Sequence, residues 1–250
     1  MLTTAISNEN YLCRTLDGKR FKHLNKNLQS MINAIYGEVD EDEPISCRLT
    51  DNYIKPDIII TCQGKEAYIS VKNGRATVLH TEDIFAFVEF LKSIGISEET
   101  RKTILYYQFG DKTLDGSGSE GRMNYHDVYN WLVEDIKKAN KELNDRFETL
   151  EKVIDRVLFQ GVDIVATPAD YIYYGDVDFG IVISRRQITT HLKRKTWNFY
   201  DNLHIGPILL RAHARYANRA IVSDDRRKKV TCYWANLGAD LEYIGKRYSF

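Results

Sequence analysis

No apolar run in this 250-residue sequence approaches the roughly 20 residues that a membrane-spanning helix requires, so none is expected. The first twenty residues lack the apolar stretch of a secretory signal, which makes the cytoplasm the expected compartment. Cysteine is scarce and scattered: Cys13, Cys47, Cys62 and Cys232 form no CxxC pair. Neither a disulfide framework nor a zinc ribbon is indicated, and reduced core thiols are expected. The six histidines give no HxxxH and there is no GxSxG elbow, so a serine hydrolase of that kind is not expected. Internal repeats are absent too. With 43% hydrophobic and 12% aromatic residues, the chain has enough apolar surface to fold rather than stay disordered.

Net charge is also missing, since 35 Lys and Arg balance 35 Asp and Glu, but the average conceals a division. Residues 185–250 hold 14 basic against 5 acidic residues, a net of +9, which leaves −9 for residues 1–184. The basic stretch contains Arg185, Arg186, Lys193, Arg194, Lys195, Arg211, Arg215, Arg219, Arg226, Arg227, Lys228 and Lys229, interleaved with Trp197, Phe199, Tyr200, Tyr216 and Trp234. Arginine and lysine mixed with aromatics suit phosphate contact and base stacking, the footprint of a nucleic-acid surface. Lys193, Arg194, Lys195, Arg226 and Arg227 are the candidates for DNA contact. The plainer alternative is a solvated basic face that pairs with acids elsewhere in the fold.

Periodicity predicts a first helix over 20–36, a hairpin of strands at 54–62 and 66–72 joined through Gln63-Gly64-Lys65, and a helix over 81–94. The run TILYYQF at 103–109 reads as a buried strand, and a heptad-like stripe over 124–159 reads as a long helix, either unbroken or bent near Asn144-Asp145. The remainder is β-rich, with a short helix around 186–192. The order predicts an α/β fold, a mixed sheet flanked by helices. Its expected division is a core at 1–145 and a helical connection with a basic, β-rich extension at 146–250, or one continuous domain.

Chemistry concentrates in the hairpin. Pro56-Asp57 opens its first strand, and Ser70-Val71-Lys72 closes its second. Alternation puts Tyr68, Ser70 and Lys72 on one face, with Ile69 and Val71 on the other. A charged residue at the end of a buried strand needs a partner, and an acid on the neighbouring strand supplies one.

Pro56-Asp57, twelve residues and then Ser70-Val71-Lys72 resembles the PD-(D/E)xK nuclease superfamily, whose members include many restriction endonucleases, over roughly residues 20–141. The resemblance implies a restriction endonuclease-like fold and phosphodiester hydrolysis dependent on Mg²⁺, with Mn²⁺ as a substitute. Asp57 would bind the metal, the Val71 carbonyl would be a further ligand, and Lys72 would stand near the attacking water. Ser70 departs from the pattern, because it stands where the second acid belongs. Some restriction enzymes of the superfamily place Ser or Thr there and take the carboxylate from the following helix. Glu82 is then the first choice, with Glu89 open and Glu38 a third option from the first helix. The implied catalytic set is Asp57, Ser70, Lys72 and Glu82, with metal ligands Asp57, Val71 and Glu82.

A GxGxxG match at Gly116–Gly121 follows too long a loop for a dinucleotide-binding turn and reads better as a flexible loop. The expected function is therefore a metal-dependent endonuclease on duplex DNA, most like a type II restriction enzyme and acting as a homodimer. The alternatives are a degenerate nuclease fold that binds DNA or assembles with partners, or a nuclease for repair intermediates or RNA.

Overall fold

A computed structural model describes residues 4–50, 55–73, 77–118, 122–162, 166–197, 202–212 and 224–247. Its helices are α1 (Thr4–Leu16), α2 (Lys26–Tyr36), α3 (Ile84–Ser93), α4 (Glu98–Phe109), α5 (Tyr125–Asp145), α6 (Phe147–Ile154), α7 (Arg185–Leu192), α8 (Asp224–Arg227) and α9 (Leu237–Arg247). The strands are β1 (Lys19–Arg20), β2 (Pro44–Leu49), β3 (Ile58–Cys62), β4 (Lys65–Lys72), β5 (Val78–Asp83), β6 (Tyr171–Gly175), β7 (Gly180–Ser184), β8 (His204–Ile205), β9 (Ile208–Ala212) and β10 (Lys229–Tyr233). The mixed α/β class is as expected. Among the described residues no helix is long and apolar enough to cross a membrane.

The chain forms two compact units, each assembled from separated segments. The first comprises residues 1–76, 155–194 and 236–250, and the second 77–154 and 195–235. Strand β4 pairs with β6, about a hundred residues later, and the segment 77–154 of the second unit lies within that crossover.

In the first unit the strand order is β1-β2-β3-β4-β6-β7. Neighbours are antiparallel except β4 and β6, which run parallel. Leu12 and Leu16 of α1 and Leu28 and Ile32 of α2 pack in one core with Ile45, Ile58, Ile60, Ile69 and Tyr173 of the sheet. Ile69 and Val71 are buried in this core, so the alternation read along β4 holds. Burying such side chains contributes about 1.5–3 kcal/mol each. Helix α1 was not anticipated, because among its described side chains only Leu12, Cys13 and Leu16 are buried apolar positions, too narrow a stripe to register in the sequence. Strand β2 was missed as well, and the first predicted helix is confined to α2 after a 3₁₀ turn at Phe21–His23.

The second unit has an antiparallel sheet of order β5-β10-β9-β8. The segment 103–109, expected as a strand, is the end of α4. Ser97 caps that helix by accepting from the Thr100 N–H, Gly110 closes it in the left-handed region at φ 62°, and Thr100, Thr103, Ile104, Tyr107 and Gln108 are buried at helical spacing. The expected long helix breaks at Arg146 into α5 and α6. Asn140 and Asn144 of α5 hold the β8 region: Asn140 Nδ2 donates to the Asn202 carbonyl at 2.8 Å, and Gly206 N–H donates to Asn144 Oδ1 at 2.6 Å. All four cysteines are buried and unbridged, as expected.

Candidate active site

The hairpin fixes the geometry before any side chain is considered. Gln63 and Gly64, both at positive φ (52° and 69°), make the two-residue turn that matches strand twist, and they set Cys62 opposite Lys65 and Ile58 opposite Ile69. The paired ladder ends at Ile58 opposite Ile69, with Lys55, Pro56 and Asp57 lying just before it. The Asp57 N–H donates to the Ile69 carbonyl at 2.9 Å, so the ladder already holds Asp57 in place.

Asp57 Oδ2 accepts from the Val71 N–H at 2.6 Å and from Ser70 Oγ at 3.0 Å. Lys55 Nζ donates to Ser70 Oγ at 2.6 Å and stands 3.5 Å from Asp57 Oδ2. These groups are withdrawn from solvent: Ser70 is fully buried, and the Lys55 and Asp57 side chains are 11% and 17% exposed. Charges so placed require mutual pairing and hydrogen bonds, and each has both.

Two further groups belong electrostatically to this cluster. Burial pushes the Lys72 ammonium down to about 7, the Lys55 charge adds to that effect, and Asp57 and Glu9 oppose it. Glu9, on α1, has its carboxyl raised to about 7 by burial and then by the Asp57 charge, against the pull of Lys72 and Lys55. An acid and a lysine with values displaced toward neutrality, beside a fixed carboxylate, are what acid–base chemistry at pH 7 needs.

Asp57, Ser70, Val71 and Lys72 are thus brought together, with Val71 contributing its N–H. Glu82 belongs to the second unit, as a buried residue of β5 opposite Val230 of β10, with His80 Nε2 3.5 Å from its carboxylate. The helix expected to start at residue 81 starts at Ile84, because Asp83 caps it by accepting from the Phe85 and Ala86 N–H groups. Glu89, also in the second unit, is exposed and pairs with Lys92. Glu38 is exposed, and its carbonyl accepts from Gln63 in the hairpin turn, about 20 Å along β3 from Asp57.

Sequence reasoning missed Glu9 and Lys55. Lys55 was detectable, since it lies two residues from Asp57 in the sequence. Glu9 carried no comparable signal without α1.

The two carboxylates Glu9 and Asp57 are hard oxygen donors of the kind Mg²⁺ takes one or two of, alongside waters and substrate phosphate. They are the residues that would hold such an ion, and the Lys55 ammonium stands at the Asp57 carboxylate. Among the described residues there is no group of three or more His, Cys, Asp or Glu placed to hold a metal.

Of the basic candidates, Lys193, Arg194, Lys195 and Arg226 are exposed, and Lys195 Nζ lies 5.4 Å above the Trp197 ring. Arg227 is a correction. It is only 6% exposed, and its guanidinium lies 3.5 Å from buried Asp111, so it supports the second unit internally and is not presented to a duplex. Phe199, Tyr200, Arg215, Tyr216, Arg219 and the last residues of the glycine loop, 119–121, lie outside the described residues.

Comparison of the chain with protein-family models, with curated proteins and with solved structures found no match in any of the three.

Proposed function

We propose that the protein is a divalent-metal-dependent endonuclease acting on duplex DNA, similar to type II restriction enzymes and built on a restriction endonuclease-like core. One observation carries this reading: Glu9 of α1, Asp57 just before β3 and Lys72 at the end of β4 form one electrostatic cluster with Glu9 and Lys72 displaced to about 7. The resemblance supports it further, since such nucleases often bring an acid from their first helix, and Glu9 is placed on α1.

In this reading Asp57 and Glu9 hold the ion, Mg²⁺ or Mn²⁺. When bound, the ion supplies a lowered pKa for a water and charge stabilisation at the phosphate. The Val71 N–H and Ser70 Oγ keep Asp57 Oδ2 in one position, so the carboxylate needs no reorganisation. Lys72, its ammonium pushed down to about 7 by burial, would accept the proton of the attacking water and then face the phosphate as a cation. Lys193, Arg194, Lys195 and Arg226 neutralise backbone phosphates, and a homodimer cuts both strands of a palindromic site.

The test is incubation of supercoiled plasmid, branched DNA and RNA with Mg²⁺ or Mn²⁺, comparing wild type with Asp57→Asn. Asp57-dependent discrete plasmid fragments are expected. Cutting confined to branched DNA or RNA would reassign the substrate. A second reading, a degenerate fold that binds DNA without cutting it, is favoured by Ser70 in the acid's slot with the Lys55 ammonium bonded to it. Folded, DNA-binding protein that cuts none of the three substrates would establish that alternative.

A further inference from the structure

We infer that Lys55 is a built-in rival for the metal position: its ammonium occupies the cation seat formed by Asp57 and Ser70, and a divalent ion must displace it to bind. The inference rests on the metal-dependent reading above and adds a positioning residue that controls how readily the metal enters.

Geometry argues it. Lys55 Nζ is 2.6 Å from Ser70 Oγ and 3.5 Å from Asp57 Oδ2, so it is seated between the oxygens of the hairpin's polar pair. Its side chain is 11% exposed, and a cation so desolvated is held by these partners rather than by water. The stem is packed as well, since a Cβ on Gly161 would fall 3.6 Å from Lys55 Cγ. Seated there, the ammonium sets a positive charge against the incoming ion at the oxygen of Asp57. Two like charges cannot share the seat, because their repulsion at such separations exceeds what screening by a partly buried site removes. Metal entry therefore requires the flexible lysine stem to swing away. Arginine would keep the charge, whereas methionine keeps the stem's apolar packing and removes it.

The experiment is Mn²⁺ titration of the full chain without DNA, following free Mn²⁺ by electron paramagnetic resonance, for wild type, Lys55→Met, Lys55→Arg and Asp57→Asn, each first shown folded by circular dichroism. Lys55→Met should bind Mn²⁺ on the order of tenfold more tightly than wild type, Lys55→Arg no more tightly, and Asp57→Asn hardly at all. Binding that depends on Asp57 but is equal or weaker in Lys55→Met overturns the rivalry and leaves the metal-dependent reading standing. If no variant shows Asp57-dependent binding, even with Lys55 removed, both fail together.

Discussion

The backbone N–H of Val71 donates to Oδ2 of Asp57 across 2.6 Å, which ties the acid that opens one strand to the strand beside it. A carboxylate held in this way is pre-positioned, and its charge is what the proposed chemistry uses. Asp57→Asn keeps the shape and an oxygen acceptor for Val71, so the fold should survive, with a lower melting temperature because the Lys55 ammonium loses its charged partner. Cleavage should fall on the order of 10²–10³-fold, read from initial rates of plasmid nicking.

Glu9 and Lys72 give stability a pH dependence whose sign differs on the two sides of neutrality. The Glu9 carboxyl is raised from 4.5 to about 7 on folding, so the native state binds its proton more tightly and stability declines as pH rises through that window. The Lys72 ammonium is lowered from 10.5 to about 7, so the unfolded chain binds its proton more tightly and stability recovers between about 7 and 10.5. Urea unfolding at pH 5, 7 and 9.5 should show Glu9→Gln abolishing the decline and Lys72→Met abolishing the recovery. Unchanged pH profiles in both variants would remove the basis for placing them in one cluster.

Arg227 and Arg226, adjacent in sequence, should behave oppositely. Arg227→Ala strands the buried Asp111 carboxylate and should cost about 3–5 kcal/mol in urea unfolding, leaving the salt dependence of DNA binding by the folded protein unaltered. Arg226 is exposed, so Arg226→Ala should barely change stability.

Replacing Lys193, Arg194, Lys195 and Arg226 together by alanine should weaken binding to duplexes of any sequence. The slope of log affinity against log salt should become shallower by up to about one unit for each phosphate that is no longer neutralised. A slope identical to that of wild type would show these side chains to be a solvated face only.

What the sequence revealed of this fold follows from how local each signal is. The Gln63-Gly64 turn fixes its register within two residues, so Asp57, Ser70 and Lys72 could be placed on neighbouring strands from spacing alone. The run at 103–109 misled because its β-branched and aromatic residues favour a strand, while Ser97 and Gly110, six residues before it and one after, set the helix. The helix after Lys72 starts three residues later than its pattern suggests, at Ile84, because Asp83 caps it, and this leaves Glu82 in β5. The pairing of β4 with β6 and the packing of α1 are long-range, carried by burial of residues such as Leu12, Ile69 and Ile172, and no local pattern announces them. Glu9 depends on that packing, which is why the acid that completes the cluster was the least visible.

The most direct test of the account is Mg²⁺-dependent plasmid cleavage by Glu9→Gln and Glu82→Gln beside wild type. Glu9→Gln should lose on the order of 10²-fold or more in rate while remaining folded, and Glu82→Gln should keep cutting wherever its stability permits. A Glu9→Gln variant that cuts as fast as wild type would contradict the account.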